Sequence, residues 1–496
     1  MEKNNTSLLD ADYYALTRAQ INYDKGMLDQ EEWQSYFFRK LPEGWAYGIA
    51  SGLQEVLNYI ESAHLTLEDA KWLESTCKGD LSSEFIDYLI QYKFKGTVHA
   101  IQEGTPVFPH EPILTVKSNP VDIQLFEKQI LSIFNTSIPA TTIASRCRIA
   151  AGNRSILDFS ARRAPNAKLV ARSAIIGGFN ATAHVESARD YNLPYTGTMP
   201  HSFIQERYDP LIGFVQSEYN AFVEFAQQYP HNFLPLVDTY SIMMGVMNAI
   251  KVARNICIPK GYRLKGIRID SGDIELYTRM ARIMLDSAGF EDAKIYVTGD
   301  MDEYKIKTLL GSSAPIDGFG VGTRLASVVM NGVFKAMQIN EIPIMKYSSD
   351  SVKTTMPGVH QVYRTYEPSG MYIEDTISMI DEVLSGEALL REVMTNGERN
   401  YPFKSINDIA KHCEQQIRIM PSAYRRIITD PTASYPIYPV RISPKLNTLI
   451  ETMNLRYKQE YGVEGRNWEE EFKTRYMGIM KAMKEQLAWD FPKDKV

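Results

Sequence analysis

The feature that most limits how this chain can fold is an alternation of short apolar runs with helical patterns, between about residues 155 and 340. Strands and helices in alternation predict parallel strands, and therefore an α/β sheet or barrel. In barrels, the functional residues lie at the carboxyl ends of the strands. Those ends would fall at Asp158, Asp238, Asp270, Gly299–Asp300 and Gly320–Gly322. The apolar runs are SILDFS, KLVARSAI, FLPLVDTY, GIRID, KIYVTGD, DGFGVG and FKAMQI.

The chain before this stretch has a different pattern. Apolar residues at helical spacing over 10–40 predict two short helices, separated at Lys25 and Gly26. Short β-type runs broken by glycine and proline predict a small antiparallel sheet over 96–118. The stretch 121–152 predicts one long helix that ends at Gly152.

The chain after this stretch is mixed over 343–440. The segment PTASYPIYPVRISP at 431–444 is rich in proline, which predicts a linker or an extended strap over the surface. From about residue 445 onward, charged and apolar residues alternate in the pattern of a solvated amphipathic helix. The apolar positions of that helix are Trp468, Phe472, Tyr476, Met480 and Met483.

Net charge and cysteine usage argue against several classes of protein. The formal net charge of −6 does not suit a general binder of nucleic acid or membranes, because such binding needs a strongly basic face. The four cysteines form no CxxC pair, which argues against a disulfide framework or a zinc site. No apolar run approaches the length of about 18 residues that a membrane span needs, and MEKNNTSLLDADYY lacks the layout of a signal peptide. We therefore expect a cytoplasmic protein of about two to four domains.

A pair of arginines follows the first apolar run, in the segment from Asp158 to Arg163. Adjacent guanidinium groups at a strand end can bind a carboxylate or phosphate in bidentate fashion, and Phe159 offers a ring face for stacking. The alternative is an ordinary salt-bridged pair on the surface. Residue types alone leave both interpretations of Arg162 and Arg163 open.

A histidine lies among small and hydroxyl residues in the segment from Gly197 to Ser202. Imidazole is a good nucleophile at neutral pH, and it can accept a phosphoryl group and pass it on. A structural histidine is the alternative, although the small neighbours argue against a residue that fills the core. His201 is therefore a candidate for phosphoryl transfer.

Two carboxylates, Asp270 and Asp273, follow the apolar lead-in of the segment RIDSGD. At a strand end they could hold a Mg²⁺–pyrophosphate group or ribose hydroxyls. The alternative is a turn followed by a helix N-cap, for which Asp-Ser-Gly-Asp is well suited. Both interpretations can hold at once.

Glycine turns at Gly299–Asp300 and Gly320–Thr323 follow two of the later apolar runs. Glycine lets backbone N–H groups approach a phosphate, and a helix N-terminus after the turn favours the anion. Turns on late strands match the usual phosphate site of barrels, although glycine turns are common elsewhere. Asp300 suits ribose hydroxyls better than phosphate, because two anions repel each other. The sequence contains neither a P-loop nor a Rossmann fingerprint.

Six segments of the chain resemble the nicotinate phosphoribosyltransferase family, in order and at similar spacing, from about residue 8 to about residue 365. Any one of these motifs is weak evidence by itself, but six in register are hard to attribute to chance. The segments are LLDADYYALT from Leu8, FFRKLP from Phe37, EGTPVFP from Glu103, GTMPHS from Gly197, RIDSGD from Arg268 and FGVGT from Phe319.

The resemblance implies a type II phosphoribosyltransferase fold, which pairs an irregular α/β barrel with an α+β open-faced sandwich. The chain would then divide into an N-terminal part of the sandwich (1–140), the barrel with the active site (141–342), a return segment of the sandwich (343–440) and a C-terminal helical extension (441–496). The implied reaction joins nicotinate to phosphoribosyl pyrophosphate, giving nicotinate mononucleotide and pyrophosphate, with Mg²⁺ present and ATP hydrolysed alongside. The resemblance also implies a homodimer with shared active sites.

Residue roles follow from the resemblance at the matching positions. Phe159 would stack on the pyridine ring, with Tyr14 of the partner subunit on the opposite face. Arg162 and Arg268 would contact the carboxylate, the ribose or the pyrophosphate. Arg39 of the partner subunit would add positive charge near the phosphates.

The remaining roles concern catalysis, metal and phosphate. His201 would carry the phosphoryl group, and it forms the expected catalytic set with Arg268 and Asp270. The metal ligands are not specified by the motifs: Mg²⁺ would be held mainly by pyrophosphate, near Asp270 and Asp273. The other positions expected to contact substrate, ribose or phosphate are Thr182, Ser202, Gly299, Asp300, Gly320, Gly322 and Thr323.

The sequence departs from the family pattern in two places. FSARR from Phe159 stands where the family often has FGxRR, and ATAH from Ala181 stands where it often has GTSN. The related nicotinamide enzyme carries an aspartate at about Ala183, and the absence of that carboxylate here favours an anionic ring substituent. The alternatives are an enzyme that prefers nicotinamide or quinolinate, an inactive relative that acts as a scaffold, and an α/β barrel enzyme acting on another phosphorylated sugar.

Overall fold

A computed structural model describes residues 7–460 except 78, 349–352 and 431, together with some helical positions between 474 and 483. Among these residues, no helix is both long and apolar enough to cross a membrane. The helices are α1 (Tyr13–Asp24), α2 (Leu53–Ser62), α3 (Leu67–Thr76), α4 (Ser83–Ile90), α5 (Pro120–Ala151), α6 (Ala167–Ile176), α7 (Val185–Tyr191), α8 (His201–Gln205), α9 (Gly213–Gln228), α10 (Ile242–Val252), α11 (Ile274–Ser287), α12 (Glu303–Gly311), α13 (Ile406–Ile419), α14 (Ser422–Arg425) and α15 (Pro444–Glu460).

The described strands form antiparallel, parallel and mixed sheets. In chain order they are β1 (Glu32–Phe38), β2 (Gly48–Ile49), β3 (Thr97–Ile101), β4 (Pro106–Val107), β5 (Leu114–Ser118), β6 (Ser155–Asp158), β7 (Ala181–Thr182), β8 (Gly266–Ile269), β9 (Lys294–Val297), β10 (Gly318–Val321), β11 (Gly332–Ile339), β12 (Ile342–Pro343), β13 (His360–Tyr366), β14 (Tyr372–Met379), β15 (Glu387–Ala388), β16 (Leu390–Thr395), β17 (Glu398–Arg399) and β18 (Val440–Ile442).

The largest sheet combines strands that precede the parallel strands in the chain with strands that follow them. Its seven strands run in the order β12-β11-β1-β5-β3-β16-β17, and every adjacent pair is antiparallel. The sheet predicted over 96–118 is present in it as β3 and β5. The prediction of a second helix within 10–40 was wrong, because the residues from Glu32 to Phe38 form the strand β1. β1 lies between β11 and β5 and is almost entirely buried, a position that suits its run of aromatic residues.

The five parallel strands follow one another around a barrel in the order β7-β6-β10-β9-β8. β10, the last of them in the chain, pairs with β6, the first, which joins the end of the series to its beginning. Single bridges extend the series at both ends, from Thr182 to Tyr195 and from Arg268 to Leu236. The two outer segments, at Tyr195 and Leu236, are the edges of a gap in the barrel wall. This is the irregular α/β barrel that the sequence predicted.

Three of the apolar runs do not form parallel strands of the barrel, although one of them is a strand of the antiparallel sheet. KLVARSAI lies within α6, whose residues from Leu169 to Ile176 are all buried. A short apolar run fits a buried helix as well as a strand, which explains the error. FLPLVDTY contributes only the bridge at Leu236, and FKAMQI lies in β11, which pairs with β1 in the antiparallel sheet.

The long helix α5 connects the antiparallel sheet to the barrel. Asn119 caps its first turn by accepting hydrogen bonds from the N–H groups of Val121 and Asp122, at 2.9 and 3.0 Å. Gly152, at φ +60°, ends it as the sequence predicted. The helix packs against β1, β5 and β11 on the sheet, and against α6, α12 and β6 of the barrel.

A buried arginine joins the barrel to the segment EGTPVFP. Arg172 of α6 is fully buried and donates to both oxygens of Glu103, each at 2.8 Å. It also forms an ion pair with Glu55, at 2.9 Å. Glu103 accepts a further hydrogen bond from the N–H of Gly52. The segment EGTPVFP is therefore joined to α6 of the barrel by an ion pair that is shielded from water.

The extended segment after α14 reaches a second sheet, β15-β13-β14-β18, which is mixed because β18 pairs in parallel with β14. Tyr438 stacks on Phe108, with ring centres 3.7 Å apart, and its hydroxyl donates to Asp375 at 3.1 Å. This agrees with the strap predicted over 431–444. Of the predicted tail helix, Trp468 and Phe472 lie outside the described residues. Tyr476, Met480 and Met483 are helical and exposed.

A buried carboxyl group, Glu111, lies beside the ion pair of the second sheet. Arg364 of β13 donates to both oxygens of Asp375, at 2.8 and 2.6 Å. One oxygen of Glu111 accepts from the N–H of Phe108 at 2.8 Å, and the side chain is fully buried. Burial, together with the neighbouring carboxylate of Asp375, raises the pKa of Glu111 well above its usual range. The buried site therefore favours the neutral, protonated form of Glu111.

We predict that Glu111→Gln removes part of the pH dependence of stability. A group whose pKa is raised on folding contributes stability at low pH, and that stability is lost as pH rises through the folded-state pKa. In the parent protein, this one group lowers the free energy of unfolding by about 1.4 kcal/mol per pH unit between the unfolded-state and the folded-state pKa. Urea unfolding should be measured at several pH values from 5 to 8. The free energy of unfolding of the variant should rise relative to that of the parent as pH increases. Glu341→Gln, an exposed control, should track the parent; a Glu111→Gln curve parallel to the parent contradicts the assignment.

Candidate active site

The ring of Phe159 lies against the next strand of the barrel. The N–H of Phe159 donates to the carbonyl of Val321 at 2.9 Å, so the residue after β6 stays attached to β10. A Cβ atom on Gly320 would lie 2.7 Å from the Phe159 ring and 2.6 Å from the Thr298 methyl group. Glycine at 320 is therefore required by the close approach of an aromatic ring, in addition to any contact with a ligand.

A cationic side chain faces the same ring. The guanidinium carbon of Arg268, on β8, lies 5.9 Å from the centre of the Phe159 ring. Arg268 also donates a hydrogen bond to the hydroxyl of Thr198. Burial lowers the pKa of Arg268 from its ordinary value, the carboxylates of Asp270 and Asp238 oppose this, and the charge of Arg162 adds to it. An aromatic plane and a guanidinium group on neighbouring surfaces suit a flat, anionic ligand.

A small cavity lies inside the barrel beside these groups. Its volume is about 60 Å³ and its lining includes Phe159, Thr198, Arg268, Tyr296 and Thr298. These residues come from the ends of β6, β8 and β9 and from the segment after Tyr195. The cavity thus extends along the inside of the barrel, from Asn232 and Lys265, which precede the Leu236 bridge and β8, to Phe159 and Thr298 at the carboxyl edge.

His201 connects the two edges of the gap in the barrel wall. It begins α8, which follows the Tyr195 edge, and its Nδ1 lies 3.0 Å from the hydroxyl oxygen of Thr239, which follows the Leu236 edge. Its Nε2 lies 4.0 Å from a carboxylate oxygen of Asp238 and 4.0 Å from one of Asp270. A neutral ring that donates from Nδ1 to Thr239 leaves Nε2 as the free nucleophile.

Asp238 is a site residue that sequence reasoning located only as the end of an apolar run. Its side chain is fully buried. One oxygen accepts from the N–H of Asp270 at 3.1 Å and from the hydroxyl of Ser271 at 2.6 Å. Asp238 therefore fixes the turn that carries Asp270. Its position at the end of the run FLPLVD was the available signal.

The two carboxylates of the segment RIDSGD have different positions. One oxygen of Asp270 accepts from the Thr298 hydroxyl, and the other is the one near His201. Asp273 caps α11 by accepting from the N–H of Leu276 at 3.1 Å. The N-cap alternative is thus correct for Asp273. Across the described part of the chain, no group of three or more His, Cys, Asp or Glu side chains is arranged to hold a metal ion.

The two glycine turns lie next to these groups. A Cβ on Gly299 would lie 1.8 Å from the carbonyl oxygen of Asp270, so only glycine fits there. Asp300 is exposed and has φ +41°, which is uncommon outside glycine. A Cβ on Gly322 would lie 3.1 Å from the carbonyl oxygen of Phe159. Thr323 is exposed and begins a short 3₁₀ turn.

Three further predicted residues lie at the same edge of the barrel. Thr182 is buried; its hydroxyl donates to Asp158 at 2.7 Å and accepts from a backbone N–H two residues later at 3.0 Å. That hydroxyl is therefore already engaged in positioning Asp158. Arg162 is exposed, and it is close enough for its charge to lower the pKa of Arg268. Ser202 is exposed as the second residue of α8.

Tyr14 and Arg39 lie away from this edge. Tyr14, on α1, is 54% exposed, and burial together with the nearby carboxylate of Glu127 raises its pKa. Arg39 follows β1, with its guanidinium carbon 6.0 Å from the centre of the Phe37 ring. Within the described residues of this one chain, neither contacts the residues around Phe159.

Sequence comparisons match the chain to one family at both ends. The nicotinate phosphoribosyltransferase N-terminal domain matches residues 9–135, and the C-terminal domain of the same family matches residues 384–450. Nicotinate phosphoribosyltransferase pncB2 of Mycobacterium tuberculosis (strain ATCC 25618 / H37Rv) is 34% identical over 443 residues, covering 88% of this chain and 92% of the relative. Nicotinate phosphoribosyltransferase of Bacillus subtilis (strain 168) is 32% identical over 463 residues, covering 86% of this chain and 91% of the relative.

Solved structures share the fold. Human nicotinic acid phosphoribosyltransferase aligns with a TM-score of 0.79 at 23% identity, covering 89% of this chain and 99% of the human chain. Nicotinate-nucleotide pyrophosphorylase from Pyrococcus furiosus aligns with a TM-score of 0.67 at 23% identity, covering 85% of this chain and 96% of the other. The arrangement of sandwich and barrel is therefore common to these proteins.

We predict that Gly320→Ala is destabilising, because the added methyl group would overlap both the Phe159 ring and Thr298. Overpacking of this kind costs about 1–3 kcal/mol. The free energy of unfolding in urea measures the effect. Gly197→Ala is the matched control: a Cβ there meets nothing within 4 Å, so its effect should stay within about 0.5 kcal/mol. Equal stabilities for the two variants contradict the described packing.

Proposed function

The chain belongs to the nicotinate phosphoribosyltransferase family, and from that premise we propose how its barrel edge binds the substrates and couples the reaction to ATP. The family's activity forms nicotinate mononucleotide and pyrophosphate from nicotinate and phosphoribosyl pyrophosphate, and so serves NAD salvage. The observation that best supports this activity in the chain is the convergence of the Phe159 ring, Arg268 and two glycine turns at one edge of the barrel. We place the enzyme in the cytoplasm.

The pyridine ring would stack on the exposed face of Phe159. Arg268, 5.9 Å from the centre of that ring, would contact the carboxylate of nicotinate or the pyrophosphate, with Arg162 adding charge from the surface. Ala183, exposed at the neighbouring strand end, presents no carboxylate that would repel an anionic substituent. Ser202 would contact the substrate from α8, and Thr182 would act through its hydrogen bond to Asp158.

The ribose and its phosphates would lie along the late strands. Backbone N–H groups of Gly320, Gly322 and Thr323 would bind the 5′-phosphate, because glycine leaves room for a close approach. Gly299 and Asp300 would contact the ribose and its phosphate region. The assignment of hydroxyls rather than phosphate to Asp300 follows from charge repulsion.

Asp270 would bind ribose and supply an oxygen to Mg²⁺. Magnesium prefers oxygen ligands, and at phosphate sites it is usually held by one or two carboxylates together with phosphate and water. Asp270 fits this role because one of its oxygens faces the site, whereas Asp273 is occupied in capping α11. The ion would neutralise charge on the pyrophosphate group.

The transfer step itself would need little acid–base chemistry. The lone pair of the pyridine nitrogen is free, so a nitrogen–C1 bond can form on one face of the ribose while the C1–oxygen bond breaks on the other. The electron pair of that bond leaves with pyrophosphate. Catalysis would rest on alignment of ring and sugar and on the positive charge of Arg268 and Arg162 near the leaving group.

His201 would couple the reaction to ATP. Its Nε2 would attack the terminal phosphorus of ATP, forming a nitrogen–phosphorus bond and releasing ADP. Water would later cleave that bond and release phosphate. The phosphoryl group would lie beside Asp238 and Asp270, each 4.0 Å from Nε2, and repulsion between like charges would favour its hydrolysis. The two states would differ in charge at the pyrophosphate site, and therefore in affinity for substrates and products.

We predict that His201→Ala abolishes ATP hydrolysis but leaves slow synthesis of nicotinate mononucleotide, because the transfer step does not use the imidazole. Labelled nicotinate and phosphoribosyl pyrophosphate, incubated with and without ATP, measure both activities. ATP should accelerate the synthesis of nicotinate mononucleotide by the parent protein but not by the variant. His231→Ala, an exposed histidine on another turn, should behave as the parent.

The same assay separates the alternatives. Nicotinamide and quinolinate in place of nicotinate should give little product. Faster turnover of either pyridine, or release of carbon dioxide from quinolinate, would identify a different enzyme of the fold. ATP hydrolysis that survives unchanged in His201→Ala would refute the phosphohistidine. An inactive scaffold would make no nucleotide from any of the three.

The separation of Tyr14 and Arg39 from the barrel edge supports a homodimer in which each subunit completes the other's site. Tyr14 is 54% exposed, as a residue free to reach a neighbouring chain must be. The barrel also presents apolar side chains at Leu211, Ile212 and Phe214, shortly after α8. A second copy of the chain would cover such surface.

We predict that Tyr14→Ala and Phe159→Ala complement each other. Each variant alone should be strongly impaired, but an equimolar mixture, refolded or co-expressed, should form mixed dimers with one intact site. Half of the dimers would be mixed, so activity should recover to about a quarter of the parent value. Size measurement by light scattering gives the oligomeric state. A monomer, or a mixture no more active than its components, contradicts shared sites.

A further inference from the structure

The two glycine turns follow the residues at which β9 and β10 pair with each other, although Gly320 itself pairs with Leu157 of β6. β9 and β10 pair at Tyr296 with Gly318 and at Val297 with Phe319. Both turns begin after these positions, at Gly299 and Gly320. The hydrogen-bond ladder between the two strands therefore does not set the distance between the turns.

A carboxylate and a guanidinium group join the turns just past their ends. Glu303, the first residue of α12, accepts two hydrogen bonds from Arg324, which lies two residues after Gly322. The distances are 2.9 Å from Nε and 2.8 Å from Nη2. A bidentate pair of this kind fixes both distance and orientation, because the two planes must align.

The same carboxylate is attached to the long central helix. Arg146 of α5 donates from Nε to Glu303 at 3.1 Å and from Nη2 to the hydroxyl of Tyr304 at 3.0 Å. The Arg146 and Glu303 side chains are both fully buried. Burial opposes the ionisation of Glu303, but the hydrogen bonds and charges of Arg324 and Arg146 outweigh it and lower the pKa of the carboxyl group. The group therefore stays charged.

Stability alone gives a weak reason for this arrangement. A buried ion pair costs desolvation, and well-packed apolar residues in its place are often equally stable or more stable. What apolar side chains cannot supply is directional bonds between two loops and a rigid helix. Arg146, Glu303 and Arg324 lie immediately after or beside both glycine turns. This location indicates that they fix the relative positions of the turns.

We propose that Glu303 and Arg324 are positioning residues for phosphoribosyl pyrophosphate: their ion pair, attached to α5 through Arg146, sets the spacing of the turns at Gly299–Asp300 and Gly320–Thr323. The inference rests on the proposed function for the identity of the ligand. It goes beyond that function because neither residue is assigned a contact with substrate. Arg324 is the better site for variants, since its side chain is 23% exposed and its loss leaves the buried Arg146–Glu303 pair intact.

The test compares Arg324→Gln, Arg324→Lys and the parent protein. Arg324→Gln should raise KM for phosphoribosyl pyrophosphate roughly tenfold or more, because small displacements of a binding group are costly. KM for nicotinate and kcat should change by less than about twofold. Arg324→Lys keeps the positive charge but cannot form the two parallel hydrogen bonds of a guanidinium group. Its KM for phosphoribosyl pyrophosphate should therefore lie between the values for the parent and for Arg324→Gln. Arg279→Gln, which removes an exposed arginine from α11, should match the parent.

Titration calorimetry with phosphoribosyl pyrophosphate and Mg²⁺, without nicotinate, gives a second measure that does not need turnover. Binding should weaken in Arg324→Gln at temperatures where circular dichroism shows the variant fully folded; its urea midpoint should fall as well, because the buried Glu303 loses one of its two cationic partners. Glu303→Gln combined with Arg324→Gln should bind more weakly than Arg324→Gln alone, since it also removes the buried charge pair with Arg146 that attaches the turns to α5.

The outcomes separate this inference from the proposed function. If both KM values and kcat worsen together with stability, or if nothing changes, the positioning role is wrong while nicotinate turnover by the parent upholds the proposed function. If phosphoribosyl pyrophosphate binding depends on Arg324 but nicotinate is not a substrate, the positioning role stands and the proposed function fails.

Discussion

The pairing of β10 with β6 is the interaction on which the candidate site depends. It joins the last parallel strand of the series to the first, and it continues one residue further through the hydrogen bond from Phe159 to Val321. This places the aromatic ring beside Gly320, where any side chain would collide with it. The stacking surface and the glycine turn therefore come from residues more than 150 positions apart in the chain.

The gap on the opposite side of the barrel has an equally specific consequence. Its edges, at Tyr195 and Leu236, are not joined by strand pairing, and the contact between His201 and Thr239 spans them. The Nε2 atom of His201 is thereby held near the carboxylates of Asp238 and Asp270.

Several residues within recognisable motifs stabilise the fold and make no contact with the cavity. Glu103, in EGTPVFP, is bonded to the buried Arg172, and Asp273, in RIDSGD, caps α11. A motif can thus be shared by relatives because it joins two layers of the fold or begins a helix. This explains why assignment of roles from a motif alone overcounts residues that touch substrate.

Periodicity and turn residues predicted an α/β sheet or barrel, the long helix α5 and the glycine turns, because these are local signals, and the resemblance of six motifs to the family implied the barrel. Prediction from the sequence failed for β1 and α6, since a short apolar or aromatic run fits more than one buried structure. It also could not reveal the roles of Thr239 or Glu303. Their importance comes from partners brought near by the closure of the barrel, and no local pattern encodes such pairs.

A crystal structure with bound nicotinate mononucleotide tests the central claim most directly. We expect the pyridine ring stacked on Phe159, with centres about 4.5–7 Å apart, its carboxylate toward Arg268 and its phosphate at the N–H groups of Gly320 to Thr323. A nucleotide bound elsewhere, or one whose ring does not contact Phe159, would contradict the proposed arrangement of the site.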